Sequence, residues 1–297
     1  NSPRALTLTA GTGNIDFDGV VGGSAALGAL TINSAANVTA DAAFSVASLR
    51  QVAGSGTTTF TGALTTTAAA GLEIDATNVD FNNTVALSLG NLDLDATGTV
   101  RFNGLVTTSD TAANQGLVTV SNAGLLTITA GGDMNLTGAF LQDGAGLVST
   151  AGDITTADET ITFQKAVTLT GPVAFSSGAG GGTIAFNSTL NSDAANSPRA
   201  LTLTAGTGNI DFDAVVGNTA ALGALTINSA ADVTADAALS VASLRQVAGS
   251  GTTTFTGALT TTDAAGIEID ATNVDFNSTV ALTLGNLDLD AAGTVRF

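Results

Sequence analysis

The chain has 297 residues, of which 25 are acidic and 7 are basic, so its net charge is −18. This balance argues against nucleic-acid binding, because nucleic-acid-binding domains present a basic surface. The absence of Cys and His excludes disulfides, thiolate metal sites and catalysis by either side chain. No run of about 18 apolar residues occurs, so we expect a protein that does not span a membrane.

Short segments of alternating apolar and polar residues begin near the N-terminus. Leu6–Thr9 is followed by a Gly-rich turn and then by Ile15–Phe17, in which Ile15 and Phe17 face the same side of a strand. This pattern of two same-facing residues separated by one outward residue, which we call the frame, recurs about eight times in 195 residues, most often at a spacing of 20 to 23 residues. The second of the two same-facing residues is, in successive copies of the pattern, Phe17, Ala40, Phe60, Phe81, Phe102, Leu136, Phe163 and Phe186.

A further short strand begins four residues after this position, as at Val85–Leu89. Three short strands in each 20 to 24 residues are typical of one coil of a β-solenoid. We therefore predict an all-β parallel β-helix with about eight coils per 195-residue repeat. The alternative is an immunoglobulin-like sandwich, but its core Trp and corner Tyr are absent.

The aromatic residues predict how the coils stack. We expect the residues four positions after each frame to line a wall beside the aromatic core. Where the frame carries Ala40 or Leu136, that later residue is Phe44 or Phe140. Because interiors are packed to constant density, the two positions should share one layer. The predicted interior column consists of Phe17, Phe60, Phe81, Phe102, Phe163 and Phe186.

Two polar segments interrupt the regular spacing of the pattern. The 34-residue interval from Phe102 to Leu136 includes residues 109–116, which we predict to form a loop. A second loop is predicted over 191–198, where Pro198 lacks the N–H that a central strand needs.

The first 102 residues return almost unchanged later in the chain. Residues 1–102 and 196–297 differ at ten positions, at an offset of 195 residues. Self-similarity of this kind indicates a repeat array. We assign 1–195 to one full solenoid repeat and 196–297 to the first half of the next, and we expect a continuous solenoid that is a fragment of a longer array.

Four carboxylates are the candidate ion-binding residues. Glu73 and Asp75 precede Asp93 and Asp95 by 20 residues, about one coil. In a solenoid they would stack about 4.8 Å apart on the outer face. A cation such as Ca²⁺ would relieve their repulsion, whereas the alternative is a solvated acidic face that salt screens. We predict no catalytic residue and no other cofactor.

Other polar patterns concern the outward positions. Residues 11–19 (GTGNIDFDG) resemble the calcium-binding nonapeptide repeat, but the motif is not repeated in tandem, and the alternative is a turn followed by a strand. Asp80 and Arg101 occupy one outward position on successive coils, which predicts an exposed ion pair. Asn82 and Asn103 share the next position, which predicts an Asn ladder.

Two longer segments resemble the sequences of known surface proteins. Leu125–Asp133 (LLTITAGGD) and Gly152–Thr155 (GDIT) resemble the repetitive passenger regions of giant bacterial surface proteins, namely filamentous-haemagglutinin-like adhesins and autotransporter-type β-strand-repeat proteins. The resemblance implies export across a bacterial envelope, a right-handed parallel β-helix and an extracellular or cell-surface location. It carries over no catalytic or binding residue.

We therefore expect a structural component of an extracellular filament, sheath or stalk, with further copies of itself as end-to-end partners. The alternative is an adhesin module that binds a carbohydrate or a cell surface through its outer loops. A carbohydrate-active enzyme is a third possibility, because pectin-lyase-like enzymes also use parallel β-helices. Against an enzyme, the seven basic residues do not cluster in the sequence.

Overall fold

The computed structural model describes residues 3–110 and 112–297. Within these ranges the protein consists of strands and turns and contains no helix. The chain divides into two compact units, Asn1–Val148 and Ser149–Phe297. Each unit is built from parallel strands stacked coil upon coil, so the predicted β-solenoid fold is confirmed.

The strands are short and are separated by tight turns. The first unit contains β1 (Leu6–Thr9), β2 (Ile15–Phe17), β3 (Leu27–Ser34), β4 (Val38–Ala40), β5 (Phe44–Gln51), β6 (Thr57–Phe60), β7 (Leu64–Thr66), β8 (Leu72–Ala76), β9 (Asn78–Phe81), β10 (Val85–Leu87), β11 (Leu92–Ala96), β12 (Val100–Phe102), β13 (Val106–Thr108), β14 (Val118–Asn122), β15 (Leu126–Ile128), β16 (Met134–Leu136) and β17 (Phe140–Gln142). The boundary falls within β18 (Val148–Thr150). The second unit contains β19 (Ile154–Thr156), β20 (Ile161–Phe163), β21 (Val167–Leu169), β22 (Val173–Ser176), β23 (Ile184–Phe186), β24 (Leu190–Ser192), β25 (Leu201–Thr204), β26 (Ile210–Phe212), β27 (Leu222–Ser229), β28 (Val233–Ala235), β29 (Leu239–Gln246), β30 (Thr252–Phe255), β31 (Leu259–Thr261), β32 (Ile267–Ala271), β33 (Asn273–Phe276), β34 (Val280–Leu282), β35 (Leu287–Ala291) and β36 (Val295–Arg296).

Alternation of side chains explains why these segments are strands with one buried face. In β8 (LEIDA), Leu72 and Ile74 are fully buried, whereas Glu73 and Asp75 lie on the outer surface and are half-buried. Successive side chains of a strand point to opposite sides, so the apolar residues enter the core together.

Three ladders of parallel strands wind around the first unit. The aromatic ladder pairs β2, β4, β6, β9, β12 and β15 in that order. The acidic ladder pairs β1, β3, β5, β8, β11, β14 and β17. The uncharged ladder pairs β5, β7, β10, β13 and β16. β5 belongs to two ladders because Phe44 pairs with Leu64 of β7 and Leu49 pairs with Leu72 of β8.

The second unit has the same construction. One ladder pairs β20, β23, β26, β28, β30, β33 and β36. Another pairs β22, β25, β27, β29, β32 and β35. The third contains β21 and β24, continues through a bridge at Val216, and then pairs β29, β31 and β34.

The structure corrects the predicted frame after Phe102. Ile128, and not Leu136, is the residue that pairs with Phe102 on the next coil. Met134 pairs with Val106, one ladder further on, and Phe140 pairs with Val118 on the acidic ladder. The prediction was wrong because the interval from Phe102 to β16 holds three strands, β13, β14 and β15, in addition to a loop.

Both predicted loops lie close to their expected positions. The described residues of 109–116 contain no strand and connect β13 to β14; Thr111 lies outside the described residues. The second loop begins later than predicted, because Asn191 and Ser192 belong to β24 and are buried. It then runs from Asp193 towards β25, where Pro198 lies outside any strand.

Candidate functional site

Stacked aromatic rings form the centre of the first unit. Phe60, Phe81 and Phe102 are buried, and their ring centroids are 5.6 and 5.3 Å apart with nearly parallel planes. Register explains this geometry, because Phe60 pairs with Phe81 and Phe81 with Phe102 on consecutive coils of the aromatic ladder. The three predicted core residues are therefore brought into direct contact.

The first coils continue this column with a different residue. Ala40 leaves the aromatic ladder without a ring, and Phe44 of the following strand supplies one. Its centroid lies 5.1 Å from that of Phe17 and 5.6 Å from that of Phe60, in edge-to-face contacts. The predicted replacement of the ring at Ala40 is thus confirmed, while Phe17 itself is only partly buried.

The second unit contains its own stacked rings. Phe163, Phe186 and Phe212 have centroid separations of 5.5 and 5.4 Å. Phe186 pairs with Phe163 and Phe212 in the parallel ladder, so these rings stack for the same reason as those of the first unit. Phe163 and Phe186 therefore lie in the interior of the second unit, as buried residues of its own column.

The four candidate carboxylates occupy neighbouring coils of the acidic ladder. Asp93 pairs in register with Glu73, and Asp95 with Asp75. Arg50 was not among the predicted site residues. It lies on the preceding coil, pairs in register with Glu73, and donates from Nε to the Glu73 carboxylate at 3.0 Å. The only available signal was its position 23 residues before Glu73, close to one coil. One of the four negative charges therefore has a cationic partner.

Burial and like charges act together on this ladder. Partial burial raises the pKa of Asp75, and the nearby charges of Asp95 and Glu73 raise it further, while Arg50 opposes them. Partial burial also raises the pKa of Asp93, with Asp95 and Glu73 as the strongest like-charged neighbours. Both shifts favour the protonated carboxyl, because burial and nearby negative charge penalise the ionised form.

An open groove runs beside these carboxylates. Its first stretch holds about 290 Å³. A second stretch of about 270 Å³ shares Asp95 and continues to Ser121 and Gly144. The second unit repeats the first stretch beside Asp270 and Asp290, with about 310 Å³. The residues that line the first stretch are Val52, Ala53, Gly54, Asp75, Ala76, Asp95 and Thr97.

A buried glutamine lies beneath this groove and was not anticipated from the sequence. Gln51 is fully buried, and its side-chain oxygen accepts a hydrogen bond from the Thr58 hydroxyl at 2.8 Å. Its amide nitrogen has no hydrogen-bond partner. A Cβ on Gly54 would clash with that nitrogen, so a larger residue there would force the glutamine side chain to move. Gln246 and Gly249 repeat the arrangement in the second unit.

The other polar predictions had mixed outcomes. The Asn ladder is confirmed, because the Asn103 amide donates to the Asn82 oxygen at 2.7 Å. The predicted ion pair between Asp80 and Arg101 does not form. The two residues are register partners, but Arg101 Nε donates to the Asn103 side-chain oxygen at 2.9 Å. Residues 11–19 form a turn followed by β2, in agreement with the structural alternative to the calcium motif.

In residues 3–110 and 112–297, no group of three or more His, Cys, Asp or Glu side chains is arranged to hold a metal ion. No helix in these ranges has the length and apolar character required to cross a membrane. No protein-family model, curated protein or solved structure matches this chain.

Proposed function

We propose that this protein is a structural component of an extracellular filament, sheath or stalk built from stacked β-solenoid repeats. The observation that carries the proposal is the parallel in-register stacking within each unit, with Phe60, Phe81 and Phe102 in van der Waals contact through consecutive coils. Solenoid coils contact only their neighbours, so stability accumulates with the number of coils and length is gained without a new fold.

Two further features support this role. The 102-residue near-copy allows the same inter-coil contacts to be used again, and a net charge of −18 keeps an extended surface soluble. The resemblance of Leu125–Asp133 to filamentous-haemagglutinin-like and autotransporter-type proteins supports a bacterial surface location. A structural role of this kind requires no catalysis, and we propose no enzymatic activity.

Fibre diffraction and electron microscopy of the native material test the proposal. We expect thin fibres with a reflection at about 4.8 Å along the long axis, the spacing of stacked strands. Compact, unconnected particles without this axial spacing would contradict it.

The second candidate function is an adhesin module. The specific observation in its favour is the open groove, which recurs beside Asp75 in the first unit and beside Asp270 in the second. Glycan-array binding that is lost in a variant with Asp75→Ala and Asp270→Ala, but kept in Asp16→Ala, would favour the adhesin. The absence of any bound glycan would leave the structural role as the better account.

A further inference from the structure

Several asparagines lie two residues before a threonine, which is the acceptor pattern for N-linked glycans. The third residue of the pattern supplies a hydroxyl that the glycosyltransferase recognises, and the attached glycan is bulky, so a usable acceptor must lie on the surface. The structural setting of each asparagine therefore decides whether it can react. The residues that satisfy the pattern are Asn37, Asn82, Asn135, Asn187 and Asn277.

Asn82 and Asn277 begin equivalent turns in the two copies. Asn82–Thr84 is the whole connection from β9 to β10, and Asn277–Thr279 is the whole connection from β33 to β34. All six residues of the two turns are exposed. The Asn82 side-chain oxygen accepts from Asn103, whereas its amide nitrogen donates to no partner in residues 3–110 and 112–297. The reactive nitrogen and the third-residue hydroxyl therefore both face solvent.

An acidic residue stands two positions before each of these asparagines. Asp80 and Asp275 lie on the outer side of β9 and β33. Because alternate residues of an extended chain share one side, each carboxylate projects on the same side as the asparagine that follows. Arg101, the register partner of Asp80, donates to Asn103 instead. The Asp80 carboxylate is therefore available to a basic group of a modifying enzyme.

Two of the other acceptor patterns lie within the strand ladders. Asn135 belongs to β16, and the hydroxyl of its third residue, Thr137, donates to the Asp110 carbonyl at 2.7 Å. The amide nitrogen of Asn37 donates to Asn14 at 3.1 Å, and the third residue of its pattern lies in β4. An enzyme would have to break these contacts before it could engage either segment.

Asn187 is an intermediate case. It begins the turn between β23 and β24, but it is half-buried, and its amide nitrogen donates to the Gln164 side chain at 2.9 Å. Ala185 takes the place of the preceding acid. Asn187 therefore lacks the free nitrogen and the carboxylate that distinguish Asn82.

Differences between the two copies fall in a pattern that agrees with this ranking. Ser278 replaces Asn83 at the middle position of the exposed turn, where any residue except proline preserves the acceptor pattern. Asp232 replaces Asn37 and removes that acceptor from the second copy. The exposed turn thus retains its acceptor in both copies, whereas the ladder site does not.

We propose that Asn82 and Asn277 are N-glycosylation sites, modified by a transferase that recognises the preceding acid and the following threonine. The Asn82 amide nitrogen forms a bond to the anomeric carbon of a glycosyl diphosphate donor, and the anomeric C–O bond breaks. The carrier diphosphate leaves with the bonding electrons, and the amide loses one proton. The inference goes beyond the structural role, because it assigns a covalent modification to the solenoid surface.

Glycopeptide mass spectrometry of the native material tests the proposal. Trypsin cleaves after Lys and Arg, so each acceptor falls in a peptide of its own, and 200–245 is an internal blank without any acceptor. The five acceptor peptides are 5–50, 51–101, 102–165, 166–199 and 246–296. We expect sugar on 51–101 and 246–296 and none on 102–165. An increment of one sugar identifies a nucleotide carrier, and an increment of several sugars identifies a lipid carrier; both agree with the proposal.

Variants made in the cells that produce the native protein identify the recognised groups. Thr84→Ala should abolish the sugar on 51–101 and leave that on 246–296. Asn83→Ser is the matched control, because it installs the residue of the second copy and keeps the acceptor pattern, so we expect unchanged occupancy. Asp80→Ala should lower the occupancy of 51–101 about threefold or more, because a charge-assisted contact with the enzyme is lost.

Three results would overturn the proposal. They are the absence of sugar from both 51–101 and 246–296, equal occupancy of 51–101 and 102–165, and sugar that remains on 51–101 in Thr84→Ala. Each of these is read from peptide masses, whereas the structural role is tested by the axial reflection at about 4.8 Å, so failure of one is distinguishable from failure of the other.

Discussion

Replacement of Phe81 by alanine probes the central contact of the proposed structure. Phe81 is 0% exposed and lies between Phe60 and Phe102, with centroid separations of 5.6 and 5.3 Å. Phe81→Ala removes a ring that no neighbouring side chain can replace, because the adjacent coils are held in position by their own backbone ladders.

The expected loss follows from that geometry. Deleting a buried Phe side chain costs about 3–5 kcal/mol, which includes the cavity left behind. Two stacked ring contacts, each of about 0.5–1.5 kcal/mol, place Phe81 towards the upper end of that range. Phe276→Ala is the matched control, since Phe276 is the equivalent residue of the second copy. Its outer neighbour Phe297 is 76% exposed, so the site can relax and the loss should be smaller by about 1 kcal/mol or more.

Native-state hydrogen exchange is the most direct assay, because solenoid coils contact only their neighbours and the loss can be measured at the mutated layer itself. The backbone N–H of Asn103 reports on the mutated layer, since it donates to the Phe81 carbonyl at 2.8 Å. A loss below about 1 kcal/mol at this amide, or equal losses in the two variants, would refute the stacked-core reasoning.

Three further outcomes follow from the structure. The raised pKa values of Asp75 and Asp93 mean that their protonated carboxyls contribute stability below the ordinary Asp pKa of about 3.9, and that this contribution is lost as the pH rises through the folded-state values. Urea titrations from acid to neutral pH should show that decline, and an equal decline in Asp75→Asn would contradict its assignment to Asp75. Gly54→Ala should cost about 1–3 kcal/mol because its Cβ meets the buried amide beneath the groove, whereas Gly181→Ala, with open space around its Cβ, should be close to neutral in a thermal melt. Leu239→Phe should restore the ring that the second copy lacks and raise local exchange protection by about 1 kcal/mol, and decreased protection would mean that the second unit has closed around the leucine.

The sequence by itself determined the fold class and much of the core. Alternation in segments such as Leu72–Ala76 identifies the buried side of each strand, because side chains in a strand alternate regardless of the tertiary context. The near-constant spacing between Phe60, Phe81 and Phe102 predicts their contact, since residues one coil apart must lie above one another. The same spacing predicts the pairing of Asp93 with Glu73.

Only the tertiary structure decided which ladder each strand joins after Phe102. Short strands of all three ladders have the same alternation, so the pattern at Met134–Leu136 is compatible with any of them. Pairing of Val106 with Met134, and of Phe102 with Ile128, settles the register through backbone hydrogen bonds that leave no trace in composition. The uncharged ladder depends on tertiary structure in the same way, because Ser45 and Thr107 are far apart in the chain and join one ladder only when consecutive coils stack.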